Sequence, residues 1–363
     1  MYYFNIVYRS VFYGDIIYIM KQEIMDYWDS IKEYEIDDSW QRNLSEEYKE
    51  YRRQFDLAKK KKYEGKFPLS IEIEASYYCN LKCPKCPRSF LERKEGLGHM
   101  NMNLWERIFH EAKPRGLKAI LMDHEAESLM NPHFLEMLKI AKSIGIIDIW
   151  LHTNANLLTE KVSEKLIDYG LTKINFSIDA ASPSTYNIVR KGGNFKRVIK
   201  NIEDFLKLKI EKKADYLRTR VSYVVMEENI REKEGFFKFW KNKPGLNIIA
   251  FQRCIDYSLF MEVDEESKLS EKELEQKYKD VLPFTCTLPW EMLIIDISGN
   301  IVPCGSPVRE HNGSFILGNI GKGETIESCW NGEKMKRLRD VHENGEWYKI
   351  PMCRVCAKAT RGF

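Results

Sequence analysis

The sequence lacks a long apolar run and lacks an excess of charge of either sign. No stretch of its 363 residues approaches the roughly 20 uncharged apolar residues that a membrane-spanning helix requires. Arg9 and Asp15 interrupt the apolar N-terminal stretch and no small-residue cleavage site follows, so we expect no signal peptide. The net charge of +3, from 57 basic and 54 acidic residues, is too small for a protein-wide nucleic-acid footprint. We therefore predict a cytoplasmic protein that binds neither nucleic acid nor membrane.

Low-complexity segments are absent as well, and a content of 44% hydrophobic and 31% charged residues is typical of a globular chain of about two domains. The unusual feature is nine cysteines, an odd number that cannot all pair in disulfides. In a reducing compartment, clustered thiols more often bind metal than form disulfides. The spacing of these thiols therefore becomes the main source of functional information.

The pattern along the chain predicts three segments. Residues 1–68 are dense in Tyr, Glu and Lys and indicate a charged helical extension. In residues 69–260, short β-branched runs alternate with helical periods, which is typical of βα units around a parallel sheet. Residues 261–363 combine acidic helical stretches with a hairpin that turns at Gly299. The strands predicted in the central segment are Ile71–Glu74, Lys118–Met122, Ile147–His152, Lys173–Ile178, Arg218–Val224 and Asn247–Phe251.

This alternation predicts an α/β fold. Six βα units form a partial (β/α)6 TIM-like barrel, which is incomplete beside the eight-unit form. A small α+β unit follows at the C-terminus, and the helical extension precedes the barrel. In barrels of this kind the functional residues lie at the carboxyl ends of the strands.

Three of the cysteines, Cys79, Cys83 and Cys86, follow the first predicted strand within a single short loop. Such a loop can direct three thiolates at one compact iron-sulfur core without help from distant parts of the chain. A structural zinc ion ordinarily takes four ligands, and His99 is poorly placed to be the fourth. Three ligands for four irons leave one iron open to a substrate or cofactor.

The CxxxCxxC spacing within Ile71–Arg88, at the start of a βα series, closely resembles that of the radical S-adenosylmethionine (SAM) enzymes. The resemblance implies that Cys79, Cys83 and Cys86 hold a [4Fe-4S] cluster whose fourth iron chelates SAM through its amino and carboxylate groups. It also implies that one electron cleaves SAM reductively to methionine and a 5′-deoxyadenosyl radical, which removes a hydrogen from the substrate.

Residues after the next strands extend the resemblance. Glu127, in Glu-Ala-Glu-Ser, stands where the family has Gly-Gly-Glu-Pro, which implies contact with the SAM amino group. Asn154, in Thr-Asn-Ala, resembles the family's Thr-Asn-Gly, and Ser177 with Asp179 resembles its ribose-contacting Ser-x-Asp. Arg190 is similar to the arginine that pairs with the SAM carboxylate, a role suited to a guanidinium fork.

Simpler roles remain open for some of these positions. Asn154 and Asp179 could each cap the helix that follows. The motifs also depart from the family's pattern: Lys85 occupies a position that is often apolar or aromatic, and Glu125 and Ala126 replace glycines that let the backbone approach SAM closely.

A second group of thiols comprises Cys286, Cys304, Cys353 and Cys356, enough to close the shell of a metal centre. With the hairpin between them, they resemble the SPASM/Twitch extension of the same family. Because only seven residues follow Cys356, the shorter Twitch form with one auxiliary [4Fe-4S] cluster is the better match. A zinc site built from the same four residues is the alternative.

Two cysteines belong to neither group. Cys329 precedes a tryptophan on an amphipathic pattern, which predicts a buried small hydrophobe. Cys254 lies just beyond the sixth strand, at the expected barrel mouth, where it is either a packing residue or a hydrogen-atom donor to a substrate radical. Other side chains that could reach the mouth, as substrate binders or bases, are His152, Arg220, Tyr223, Arg253 and Asp256.

The resemblance implies a radical SAM oxidoreductase or epimerase, with an electron donor such as flavodoxin or ferredoxin. Segment 1–68 shows no pattern of a strand-containing peptide-recognition module, so we expect a small polar substrate, sugar- or aminocyclitol-like. One alternative is a radical SAM enzyme that modifies peptides. An alternative of another class is a noncatalytic scaffold that binds zinc in both cysteine groups.

Overall fold

The computed structural model describes residues 31–42, 44–89, 97–258, 265–278, 284, 286–305 and 315–361. Strands and helices are numbered below in chain order within these ranges. The strands are β1 (Ile31–Glu35), β2 (Ser70–Ile73), β3 (Ala119–Leu121), β4 (Asp148–Thr153), β5 (Lys173–Ser177), β6 (Arg218–Val225), β7 (Ile248–Arg253), β8 (Met292–Ile295), β9 (Asn300–Val302) and β10 (Gly318–Asn319).

The α-helices of the described residues alternate with strands in the central segment and cluster at the C-terminus. They are α1 (Glu46–Lys59), α2 (Met102–Ala112), α3 (Phe134–Ser143), α4 (Glu160–Asp168), α5 (Pro183–Val189), α6 (Phe195–Glu211), α7 (Lys233–Trp240), α8 (Glu271–Tyr278), α9 (Leu288–Glu291), α10 (Ile326–Trp330), α11 (Glu333–Glu343) and α12 (Pro351–Arg361). None of these helices is long and apolar enough to cross a membrane.

The six predicted central strands are confirmed as β2 to β7. They pair in parallel and in consecutive order, with helices between them, which confirms the α/β fold and the partial barrel. The strands have buried apolar side chains such as Ile71, Ile149 and Phe176, as expected for a parallel sheet covered by helices. The short helix α5 begins at Pro183, where the sequence predicts a helix after Asp179.

The prediction that residues 1–68 form only charged helices is wrong at residues 31–35, whereas α1 fits it. There β1 pairs antiparallel with β7, with Ile31 opposite Gln252 and Glu35 opposite Ile248. β1 is an edge strand with several exposed charged side chains, so its composition resembles that of a solvated helix. Residues 1–30 lie outside the described residues. β1 thus covers the edge of the barrel that β7 would otherwise leave open.

The predicted C-terminal hairpin is confirmed as β8 and β9, which pair antiparallel. β8 also pairs in parallel with β2, with Ile71 opposite Leu293. Strands from all three predicted segments therefore join one sheet, in the order β1-β7-β6-β5-β4-β3-β2-β8-β9-β10. The last two cysteines of the second group lie on α12, a helix that the sequence did not indicate.

Candidate functional site

A cavity of about 380 Å³ lies at the carboxyl ends of the parallel strands. Side chains from the loop after β2, from the ends of β3 to β7, and from the loop after α5 converge on it. The predicted site residues that line it are Cys79, Cys83, Cys86, Glu127, Asn154, Ser177, Asp179, Arg190 and Cys254. The resemblance indicates the first eight of these residues, and the position just beyond the sixth strand indicates Cys254; the fold brings all nine to one cavity.

The loop that carries Cys79, Cys83 and Cys86 is anchored by backbone hydrogen bonds. The N–H of Lys82 donates to the carbonyl of Lys191 at 2.8 Å, which ties the loop to the segment after α5, and the N–H of Cys86 donates to the carbonyl of Cys83 at 3.1 Å. Burial, and then the neighbouring thiols, raise the pKa of Cys86 to about 11. Thiols that hinder one another's ionisation are suited to a cationic metal core, which removes that repulsion.

Glu127 presents a buried carboxylate at the end of the β3 loop, with 2% of its surface exposed. Its Oε2 accepts the backbone N–H of Asn154 at 2.8 Å, and its Oε1 accepts the hydroxyl of Thr153 at 2.9 Å. Burial raises the pKa of Glu127 to about 7 against these hydrogen bonds, and no cationic side chain is among the groups that perturb it. A cationic amino group would stabilise this carboxylate, which fits the role implied for Glu127.

The Thr-Asn-Ala motif after β4 takes the backbone conformation of a glycine-containing loop. Ala155 has φ 58°, in the left-handed region that favours glycine, which agrees with the glycine at this position of the family motif. Asn154 does not cap the following helix, because Thr159 does so. Instead its Nδ2 donates to Oδ1 of Asn80 at 2.8 Å and lies 3.9 Å from Sγ of Cys79. Asn154 therefore links the β4 loop to the cysteine loop.

Asp179 and Arg190 form a buried ion pair, with Nη2 of Arg190 2.5 Å from Oδ2 of Asp179. Asp179 has φ 60° and accepts the N–H of Val224 through Oδ1 at 2.7 Å, while Ser182 caps α5. Burial raises the pKa of Asp179, although Arg190 opposes the shift. Nη1 of Arg190 lies 4.0 Å from Sγ of Cys83, so the pair adjoins the cysteine loop.

Ser177 belongs to a polar row across β5 and β6. Nδ2 of Asn175 donates to the hydroxyls of Ser177 at 3.3 Å and Ser222 at 3.0 Å, and Nη1 of Arg220 donates to Oδ1 of Asn175 at 2.9 Å. Nε of Arg220 lies 2.9 Å from Oε1 of Glu33 on β1. The N-terminal segment thus supports the cavity wall, a contribution that sequence reasoning missed because it required knowing where β1 pairs.

Two histidine–carboxylate pairs at the ends of β3 and β4 were also missed as pairs. Nδ1 of His152 lies 2.9 Å from Oδ2 of Asp123. Nδ1 of His124 shares a hydrogen bond with Oε1 of Glu72, and its Nε2 lies 3.4 Å from Oε1 of Glu125. The signal available in the sequence was the adjacent Asp123 and His124 directly after a predicted strand, but their partners come from other strands.

The other residues predicted at the barrel mouth differ in position, because successive side chains of a strand point to opposite faces of the sheet. His152, Arg220 and Arg253 line the cavity. Tyr223 is wrong as a cavity residue: it points to the opposite face of β6, is fully buried, and donates its hydroxyl to the carbonyl of Asn229 at 2.5 Å. Asp256 is not among the lining residues and accepts hydrogen bonds from Ser258.

Cys254 lines the cavity at the end of β7. Burial raises its pKa, so at neutral pH its sulfur keeps the proton, which it donates to the carbonyl of Ile255 at 3.6 Å. Cys329 is buried in the core, as predicted, with 6% of its surface exposed.

The four remaining thiols gather at the C-terminal unit. Burial, and then Cys304, raise the pKa of Cys286 to about 12. Burial also raises the pKa of Cys353, followed by the effects of Cys304, Cys286 and Cys356. Nε2 of His342 lies 3.4 Å from Sγ of Cys353, a contact that the sequence did not predict. Four mutually close thiols fit the ligand shell of an iron-sulfur cluster.

Among the described residues, no three His, Cys, Asp or Glu side chains are gathered closely enough to hold a single metal ion. The loop thiols and the C-terminal thiols are therefore each recognised as a group because they lie near one another, and the surroundings of the two groups differ. In the first, three thiols adjoin a buried carboxylate and a guanidinium in an open cavity; in the second, four thiols lie close together, with Cys353 buried and the other three partly exposed. The first suits a centre that binds a further ligand and the second a closed centre.

Comparison with known families matches both parts of the chain. Residues 73–239 match the radical SAM superfamily, and residues 286–357 match an iron-sulfur cluster-binding domain, SPASM. The first match spans the barrel strands and the cysteine loop, and the second begins and ends around the four remaining thiols.

Individual relatives are distant. A tungsten-containing aldehyde ferredoxin oxidoreductase cofactor-modifying protein of Pyrococcus furiosus is 23% identical over 321 residues, 79% of this chain and 86% of that protein. A probable GTP 3′,8-cyclase of Methanocaldococcus jannaschii is 30% identical over 195 residues, 52% of this chain and 60% of that protein. The chain therefore matches less than two thirds of the cyclase.

Solved structures of the same fold include anSMEcpe with bound AdoMet, with a TM-score of 0.54, 19% identity, and coverage of 81% of this chain and 91% of that one. Streptococcus suis SuiB bound to precursor peptide SuiA has a TM-score of 0.52 and 19% identity, and the match covers 82% of this chain and 73% of that one. At these identities the likeness establishes the fold. The two family matches identify the chain as a radical SAM enzyme that uses a [4Fe-4S] cluster and SAM and has a C-terminal auxiliary iron-sulfur domain of the SPASM type.

Proposed function

We propose that this enzyme removes a hydrogen atom from a small polar substrate, sugar- or aminocyclitol-like, and yields a dehydrogenated or epimerised product. The observation that carries the proposal is the single cavity in which the three loop thiols, the residues of the SAM motifs and a polar wall meet. We further propose that the chain comprises an N-terminal extension (1–68), a barrel (69–260) and an auxiliary domain (261–363).

In this proposal Cys79, Cys83 and Cys86 hold the cluster that binds SAM. Glu127 binds the amino group of SAM, because it is a buried carboxylate that has no cationic partner side chain among the described residues. Asn154 ties the β4 loop to the cysteine loop and thereby orients both. When bound, the cluster and SAM supply a carbon radical that removes hydrogen from an unactivated C–H bond.

The remaining SAM contacts carry over from the motifs. Ser177 and Asp179 face the ribose. Arg190 is held by Asp179, so it can offer its remaining guanidinium edge to the SAM carboxylate beside the cysteine loop.

The composition of the cavity supports a polar substrate. Beyond the SAM motifs its wall includes His152, Asn175, Arg220, Gln252 and Arg253. Polar groups removed from water need hydrogen-bond partners, and a substrate with several hydroxyl or amino groups supplies them. A relative that is matched over 86% of its own length is by name a cofactor-modifying protein, which favours a small molecule over a peptide.

Cys254 is the proposed hydrogen-atom donor for an epimerisation, because its sulfur keeps its proton and lines the cavity. Cys286, Cys304, Cys353 and Cys356 are proposed to hold one auxiliary [4Fe-4S] cluster. An external electron donor of the flavodoxin or ferredoxin class would supply the reducing electron.

The test is anaerobic incubation of the cluster-loaded protein with SAM, reductant and panels of sugars, aminocyclitols and peptides. We expect 5′-deoxyadenosine with SAM alone at a low rate and a stimulated rate with a sugar or aminocyclitol. Stimulation by peptides alone would favour the peptide-modifying alternative, and a zinc-loaded, colourless protein without 5′-deoxyadenosine would reject the proposal. Cys83→Ala should abolish the product, whereas Cys329→Ala, a matched thiol outside both groups, should retain it.

A further inference from the structure

We propose that His152, oriented by Asp123, is a proton acceptor for the substrate, and that the substrate carries a hydroxyl or protonated amine on the carbon that loses hydrogen. The inference rests on the proposed function and deepens it, because it selects dehydrogenation over epimerisation. It is carried by the geometry of two side chains at the ends of neighbouring strands.

Asp123 is fixed by both of its carboxylate oxygens. Leu121 of β3 pairs with Trp150 of β4, so the residues that follow lie side by side. Oδ1 of Asp123 accepts the backbone N–H of His152 at 2.8 Å, and Oδ2 lies 2.9 Å from Nδ1 of the same residue. Asp123 itself is 4% exposed, so solvent does not compete for these contacts. The carboxylate therefore holds the imidazole in one orientation.

This contact determines which ring nitrogen of His152 carries the proton. An ionised carboxylate can only accept a hydrogen bond, so Nδ1 is the donor and, in the neutral ring, Nε2 is the acceptor. Within the described part of the chain Nε2 has no hydrogen-bond partner, and the ring lines the cavity with 31% of the side chain exposed. Trp150 packs edge-on against the ring at 5.0 Å, which restricts its rotation.

The neighbouring His124 provides an internal contrast. It also lines the cavity, but carboxylates face both of its ring nitrogens: Glu72 at Nδ1 and Glu125 at Nε2. With 5% of its side chain exposed and a carboxylate at each ring nitrogen, it leaves neither nitrogen open to a substrate. Of these two cavity histidines, His152 is the one with a nitrogen available to a substrate.

The proposed step is a proton transfer. The substrate O–H or N–H bond breaks, the Nε2–H bond of His152 forms, and the positive charge that develops on the ring is stabilised by Asp123. Dehydrogenation removes a hydrogen atom from carbon and a proton from the adjacent oxygen or nitrogen, and passes the remaining electron to an acceptor of the iron-sulfur class. Epimerisation restores hydrogen to the carbon and needs no such proton acceptor.

The test compares His152→Gln, His152→Ala and Asp123→Asn with the control His133→Gln, a histidine whose side chain is 57% exposed, just before α3. We expect His152→Gln and His152→Ala to lower the rate of carbonyl or imine product by about 10²–10⁴-fold, the range of general-base contributions, while 5′-deoxyadenosine still forms. Added imidazole should partly restore product formation in His152→Ala. His133→Gln should behave as wild type.

A second readout requires no turnover. Acylation by diethylpyrocarbonate, mapped by mass spectrometry, should modify Nε2 of His152 in the cluster-loaded protein. Asp123→Asn should slow this modification, because the amide N–H favours the opposite tautomer. Unreactive His152, or product formation by His152→Gln within about threefold of wild type, would overturn the inference. Absence of 5′-deoxyadenosine from the wild type would instead reject the proposed function, which keeps the two failures distinct.

Discussion

Replacing Glu127 by Gln should stabilise the protein and abolish SAM binding at the same time. Burial raises the pKa of Glu127 from 4.5 to about 7. At 1.36 kcal/mol per pKa unit, keeping this carboxylate ionised costs about 3 kcal/mol of folding free energy. Gln preserves the shape of the Glu127 side chain and can still accept the N–H of Asn154, but its amide nitrogen cannot also accept the hydroxyl of Thr153. We therefore expect the free energy of unfolding to rise by about 2 kcal/mol at pH 8.

The effect has a defined pH dependence. Below the unfolded pKa of 4.5 the carboxyl is protonated in both states and contributes nothing. Between 4.5 and about 7 the folded protein holds a proton that the unfolded chain has released, so the stability of the wild type falls as pH rises. Above that range the full cost is present. The stability gap between Glu127→Gln and wild type should therefore grow across this window and then stay constant.

The assay is urea unfolding of the anaerobic, cluster-loaded protein without SAM at pH 5 and pH 8, with calorimetric titration of SAM at pH 8. Glu136→Gln, which changes an exposed carboxylate of α3, serves as the control and should alter neither measurement. The reasoning fails if Glu127→Gln binds SAM within about threefold of wild type, or if it unfolds at lower urea than wild type at pH 8.

Three further substitutions test other parts of the site. Ala155→Gly should raise the free energy of unfolding in urea by about 1 kcal/mol, because it relieves a left-handed φ of 58°; a loss of stability would contradict this. Arg190→Gln should lower the free energy of unfolding by about 3–5 kcal/mol, because it leaves the buried Asp179 unpaired. The double variant with Asp179→Asn should recover most of this loss. Cys286→Ala should reduce the iron content from about eight to about four per chain while 5′-deoxyadenosine formation persists; unchanged iron would remove Cys286 from the ligand set.

The barrel could be predicted because its signals are local. β-branched runs such as Arg218–Val225 indicate buried strands wherever they pair, and a βα alternation admits few topologies. The positions at strand ends follow, since parallel strands direct their carboxyl ends to the same edge of the sheet. Glu127 and Cys254, far apart in sequence, could therefore be expected near the same cavity, and both line it.

The features that could not be predicted depend on pairing between distant segments. β1 carries exposed charges on an edge strand, so its composition does not distinguish it from a helix. The contact of Ile71 with Leu293 extends the sheet into the C-terminal segment, and no local pattern encodes it. The pairing of His152 with Asp123 depends on the register between β3 and β4, which only the fold defines.

The most direct test of the central claim is whether SAM cleavage depends on the three loop thiols. Anaerobic cluster-loaded protein with SAM and a low-potential reductant should form 5′-deoxyadenosine and methionine in equal amounts. Cys79→Ala, Cys83→Ala and Cys86→Ala should each abolish both products, while Cys329→Ala retains them. Unchanged product formation in the loop variants, or none in an iron-loaded wild type, would contradict the account.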